Sequence, residues 1–186
     1  MFLRGRLMKV NICIIIMAHI VMCHSSVLAQ EYEISPPFGL EWLDHVSVLP
    51  QKTNVTLRSA TKEEASFINR KIYHIDREIL PYVADRCLIY GITFKGFFFT
   101  REHTGKLTVV SLFKGNSSID EFNSVCKQLY EKYGESKDDN SRDQISFGVQ
   151  KYEKKSWRKT HSKISVSFAS TILGGNELLI VYLAYY

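Results

Sequence analysis

Two stretches, Ser59-Ala-Thr-Lys62 and Ser156-Trp-Arg-Lys159, place a serine three residues before a lysine. That is the spacing at which penicillin-recognising enzymes pair a serine nucleophile with a lysine. Their partner motifs, Ser-Asp-Asn and Lys-Thr-Gly, do not occur in the sequence, nor does a Gly-x-Ser-x-Gly elbow or a phosphate-cradling glycine loop. A four-residue pattern of common residue types arises readily by chance, so neither serine is assigned a role. His45, His74, His103 and His161 include no pair at His-x-x-x-His spacing, so no metal set emerges from the sequence. His74 stands two residues before Asp76; on a strand both would share one face and the acid would favour the imidazolium. A surface histidine near an acid is the plainer account. No catalytic residue, metal ligand or cofactor is therefore expected.

Cys87 and Cys126 admit two accounts. One is a disulfide between sheet and helix, whose loop of about 40 residues would contribute up to about 4 kcal/mol in the chain-entropy model. The other is two buried small hydrophobes. The stretch 150–163 concentrates Lys151, Lys154, Lys155, Arg158, Lys159 and Lys163 around Tyr152 and Trp157. Such a patch suits an acidic protein or an anionic envelope component, with Trp157, Arg158, Tyr152, Lys155 and Lys159 as partner-binding candidates. A solvated edge strand whose lysines oppose sheet-to-sheet pairing explains the same composition.

Where these groups act depends on the first thirty residues. Arg4, Arg6 and Lys9 precede an apolar run of about a dozen residues, short of the roughly twenty needed to span a bilayer. Val27 and Ala29 then stand at the −3 and −1 places of a cleavage site. Charged leader, short apolar centre and small-residue cut site predict a secretory signal peptide over 1–29, with the mature chain starting at Gln30. Lipidation at Cys23 fits poorly, because Met22 fills a place that calls for a small side chain. Processing leaves 157 of 186 residues, removes three of 24 basic side chains and none of 19 acidic ones, and lowers the net charge from +5 to +2. That length suits one domain with a real core. That charge is far from the basicity of a nucleic-acid reader. Only Cys87 and Cys126 of the four cysteines remain, in a compartment where disulfides persist. The expectation is a periplasmic or secreted protein without a stable membrane span.

The elements that must position the side chains follow from periodicity. Thr61 and Glu64 form a capping box opening a short helix that ends before Pro81. Leu88, Tyr90, Ile92 and Phe94 alternate as one face of a strand, which sends Cys87 to the other face. Gly96 is expected at a bulge or bend. "LTVVSLF" is rich in β-branched residues. Ser118 and Glu121 open the clearest helix, approximately Ile119 to Tyr133. Its Phe122, Val125, Cys126, Leu129 and Tyr133 form one stripe, and Gly134 closes it. The end of the chain reads as two strands around "GGN", with Ile164, Val166 and Phe168 on one face. Strands, a helix, then more strands predict a single α+β domain over 30–186, with a mostly antiparallel sheet and a central amphipathic helix packed on one face.

"PFGLEW" near the mature start, "LYEKYGES" closing the central helix and a late tryptophan before terminal strands resemble a loose group of small secreted bacterial proteins of unknown function. Their opening runs Phe-Gly-x-x-Trp-Gly and their helix ends Leu-x-x-Lys-Tyr-Gly-x-Pro. Here Leu43 replaces the second glycine and Ser136 the proline. The resemblance implies a periplasmic α+β domain akin in layout to small inhibitor-like helix-on-sheet folds, and carries over no catalytic residue. Two classes of function follow: a non-enzymatic envelope protein that binds another macromolecule, as an inhibitor, immunity or assembly factor does, or a small periplasmic hydrolase whose site forms only in the fold.

Overall fold

A computed structural model describes residues 34–72, 81–101, 103–138, 149–171 and 175–185. The signal-peptide segment, His74 and Asp76 lie outside the described residues. After a 3₁₀ turn at Val46–Val48 come α1 (Leu49–Thr53), β1 (Arg58–Ser59), α2 (Lys62–Lys71), β2 (Tyr82–Ile89), β3 (Ile92–Thr100) and β4 (Leu107–Gly115). They are followed by α3 (Ile119–Tyr133), β5 (Lys137–Asp138), β6 (Val149–Arg158), β7 (Ser162–Thr171) and β8 (Asn176–Ala184). The eight strands form one sheet in the order β1-β2-β3-β4-β8-β7-β6-β5. Every pair is antiparallel. The chain leaves β4 in the middle, passes through α3 to the far edge at β5, and meanders back until β8 pairs with β4. The protein is thus mainly an antiparallel sheet with three helices among the described residues.

Both longer helices start where their sequences provide a reciprocal cap. Thr61 accepts from the Glu64 amide while Glu64 accepts from the Thr61 amide, and Ser118 and Glu121 repeat the exchange at α3. Each box satisfies donors that a helix start leaves unmet. Gly134 ends α3 at φ 80°, a backbone region open to glycine at little cost.

Two buried clusters divide the interior. The larger holds Phe94, Phe98, Val110, Leu112, Ile164, Val166, Phe168, Ile180 and Tyr182 of the sheet, Phe122, Val125, Cys126 and Leu129 of α3, and Ile34, Leu40 and Leu49 from the start of the chain. The smaller holds Val83, Phe97, Phe99 and Val109 of the sheet with Ala65 and Ile68 of α2. Neighbours such as Phe97 and Phe98 fall in different clusters because successive strand side chains point to opposite faces.

The run from Leu88 to Phe94 is not one strand face. Tyr90 and Gly91, at φ 56° and 73°, make the two-residue left-handed turn that matches hairpin twist, so β2 ends and β3 begins inside the stretch. The Tyr90 hydroxyl is hydrogen-bonded to that of buried Tyr182, a contact that offsets the strain of a left-handed tyrosine. A bulge between Ala84 and Cys87 then shifts the parity of β2. As a result Cys87 is fully buried and Leu88 is 70% exposed. Gly96 lies opposite Ala84 and not at a bend of its own. A Cβ there would stand 2.7 Å from the Cys87 sulfur, so close approach explains the glycine.

Candidate functional site

β6 carries the basic stretch, and its pairing with β7 sorts that stretch onto two faces. Glu153, Lys155 and Trp157 lie opposite Phe168, Val166 and Ile164, all three buried in the larger cluster. Tyr152, Lys154, Ser156 and Arg158 lie opposite Ala169, Ser167, Ser165 and Lys163, on the other face. Trp157 is 2% exposed, and its indole Nε1 donates to the Gly134 carbonyl over 2.9 Å. The expectation that it anchors a partner is therefore corrected. It fastens the end of α3 to β6 because its parity matches Ile164. Lys155 shares that side and reaches Asp138 of β5 at 3.6 Å. Lys159 sits in the β6–β7 turn, its amide donating to the Ser162 carbonyl over 2.9 Å.

Of the five candidates, Tyr152 and Arg158 meet in one place. They line a trough of about 660 Å³ on the α2 face of the sheet, with Lys154, Lys163, Ser165, Ser167 and Tyr185. Leu179, Val181 and Leu183 of β8, with Lys71 and Ile72 at the end of α2, complete its apolar side. The volume is that of a small-ligand site. Among the described residues four lining side chains are cations and none is a carboxylate. Lys71 is ion-paired to Glu177 beside the trough and sits over the Phe67 and Phe113 rings at 4.9 and 5.5 Å. The Arg158 guanidinium lies 5.3 Å from the Tyr185 ring centre, which orients its fork while leaving its donors for another group. The side chains of β7 provide the concavity: Ser165 and Ser167 are short, Ser167 standing between Lys154 and Leu179, and Ser165 between Ser156 and Val181.

Sequence reasoning missed Lys71, the two serines, the β8 strip and Tyr185. A signal was present in β8, where Leu178, Ile180 and Tyr182 alternate with Leu179, Val181 and Leu183. A strand apolar on both faces must be covered on both, and the second face is the trough wall.

The remaining candidates stay apart. Cys87 and Cys126 are buried free thiols, each pushed up to about 11 mainly by burial, and a thiol held neutral is a poor nucleophile. Burial likewise pushes Tyr90 up to about 12 and Tyr182 well above its ordinary value, so both phenols are neutral donors at physiological pH. His45 Nδ1 is 2.9 Å from the Ser47 hydroxyl, and His103 and His161 are exposed. Ser59 is exposed in β1, whereas Ser156 is 7% exposed in β6. Among the described residues no three His, Cys, Asp or Glu side chains gather as a metal site, and no helix is long and apolar enough to cross a membrane. No family model, curated protein or solved structure matches the chain. What the trough can do chemically is hold an anion beside an apolar surface.

Proposed function

We propose that this chain is an exported, non-enzymatic envelope protein that acts by binding another macromolecule or anionic envelope component, in the manner of an inhibitor, immunity or assembly factor, and that the trough is its binding face. The observation that carries the proposal is the cationic lining, with no carboxylate among the described lining residues. In this reading residues 1–29 are the export signal, the working protein begins at Gln30, and α3 is the helix of a helix-on-sheet layout with its apolar stripe on one sheet face. Leu43 supports the resemblance to small secreted proteins: it stands at their glycine position and adopts φ 71°, where a side chain is strained.

The test captures envelope components on the mature protein and on the double variant Arg158→Glu, Lys163→Glu. The expected outcome is a component retained by the parent, released as salt screens the charges, and absent from a variant that still unfolds cooperatively. Identical capture by both would sink the trough as the binding face. Intact mass of the exported product checks the start at Gln30; a product retaining residues 1–29 would remove the export reading.

A further inference from the structure

The trough has a direction. Strand register sets three rows of side chains across β6, β7 and β8: Arg158–Lys163–Leu183, then Ser156–Ser165–Val181, then Lys154–Ser167–Leu179. One long side thus carries the cations Arg158 and Lys154, with the short, buried Ser156 between them in register, and the opposite wall is leucine, valine, leucine. The floor is serine along two rows and is closed at one end by Lys163 beside Arg158. Two-residue steps along β8 make the apolar wall about 13 Å long, and walls two strands apart stand about 9.6 Å from each other at the backbone.

This shape and chemistry select among anions. An acidic peptide gains most of its affinity on a sheet by pairing its backbone with an open strand edge. The trough lies on the face of three strands whose backbones are already paired to one another, so it offers a peptide side-chain contacts alone. A bilayer surface is broad and flat, whereas the apolar wall here is recessed beside a basic one. A slender ligand with one apolar stem and one charged end uses every row. Resting on the reading that the trough is the binding face, we infer that it binds a dispersed single-chain anionic amphiphile. The phosphate or carboxylate head lies on Arg158 and Lys163, and the chain runs along Leu183, Val181 and Leu179 towards Ile72. Arg158 presents a planar fork suited to two oxygens of one head, and Tyr185 holds the fork in place.

Titration calorimetry of the mature protein with octyl and decyl phosphate, each below its micelle concentration, tests the assignment. Burial of a methylene corresponds to about a fourfold gain in affinity, so decyl phosphate is expected to bind roughly fifteen times more tightly than octyl phosphate. Inorganic phosphate, which lacks the stem, and decyl maltoside, which lacks the charge, are each expected to bind at least about tenfold more weakly than decyl phosphate, the minimum for one lost charged hydrogen bond. Arg158→Gln is expected to weaken decyl phosphate by at least that factor while moving the unfolding midpoint by no more than about 0.5 M, because Arg158 is exposed. The ligand series does not depend on how any variant folds. Equal binding of phosphate and maltoside amphiphiles, or no dependence on chain length, would overturn the inference. So would binding to phosphatidylglycerol vesicles with none to the monomers, the behaviour of a bilayer-surface protein. If decyl phosphate fails while envelope capture is still lost on reversing Arg158 and Lys163, the amphiphile is the wrong ligand and the trough remains the binding face. If both fail, both readings fall.

Discussion

Trp157 and Arg158 are adjacent in sequence and opposite in consequence, which makes them a sharp test of the register. Trp157 is 2% exposed and donates its indole N–H to the Gly134 carbonyl at 2.9 Å, so Trp157→Ala removes a large buried ring and leaves that carbonyl without this donor. Deleting a buried aromatic costs about 3–5 kcal/mol. Trp157→Phe keeps most of the ring volume and removes the donor, for about 1–2 kcal/mol. Arg158→Ala, one residue on, removes a guanidinium resting on Tyr185 at 5.3 Å, an exposed contact worth about 0.5–1 kcal/mol. Urea unfolding followed by far-ultraviolet circular dichroism reads all three. With a slope of about 2 kcal/mol per molar, the alanine variant of Trp157 should lose about 2 M of midpoint, the phenylalanine variant somewhat under 1 M, and Arg158→Ala no more than about 0.5 M. A folded Trp157→Ala protein with the parent's midpoint would refute the buried placement of Trp157 and return it to the surface. Equal losses at 157 and 158 would refute the assignment of the two residues to different faces.

Leu129 of α3 is fully buried, so Leu129→Ala should cost about 2–5 kcal/mol in the same assay; an unchanged midpoint would mean that α3 lies elsewhere. Cys87 and Cys126, free and buried, should resist an aromatic disulfide reagent at pH 8 in the native protein and react on unfolding, and rapid native labelling would contradict their burial. Because burial raises both thiols from 9.0 to about 11, the folded state keeps protons that the unfolded chain sheds. Their contribution is therefore fully present below pH 9 and lost as pH rises towards 11, and equal midpoints at about pH 8 and 10.5 would contradict it. Leu43→Gly should move the midpoint by less than about 0.5 M, because release of about 1–2 kcal/mol of left-handed strain offsets the loss of a half-buried side chain; a fall beyond 1 M would show that packing of Leu43 outweighs that strain.

The elements specified by neighbouring residues were legible in the sequence. Both capping boxes, the extent of α3 from Ile119 to Tyr133 and the terminal strand pair depend on spacings of three or four residues, or on simple alternation, and the structure places all of them. Composition and order likewise led to a mainly antiparallel α+β fold, because each amphipathic element needs a partner for its apolar side. Which way a given side chain points is a different matter. Strand side chains have a period of two, so a single bulge or turn reverses every later assignment. The bulge after Ala84 and the turn at Tyr90–Gly91 buried Cys87 and exposed Leu88 in that way. The β6 stretch read as one basic and aromatic patch, yet pairing with β7 sent Trp157 to the core and Arg158 to the trough. The trough itself joins Lys71 of α2 to residues more than eighty positions later on β6, β7 and β8. Local chemistry determined the elements, but only long-range strand register decided which side chains share a face.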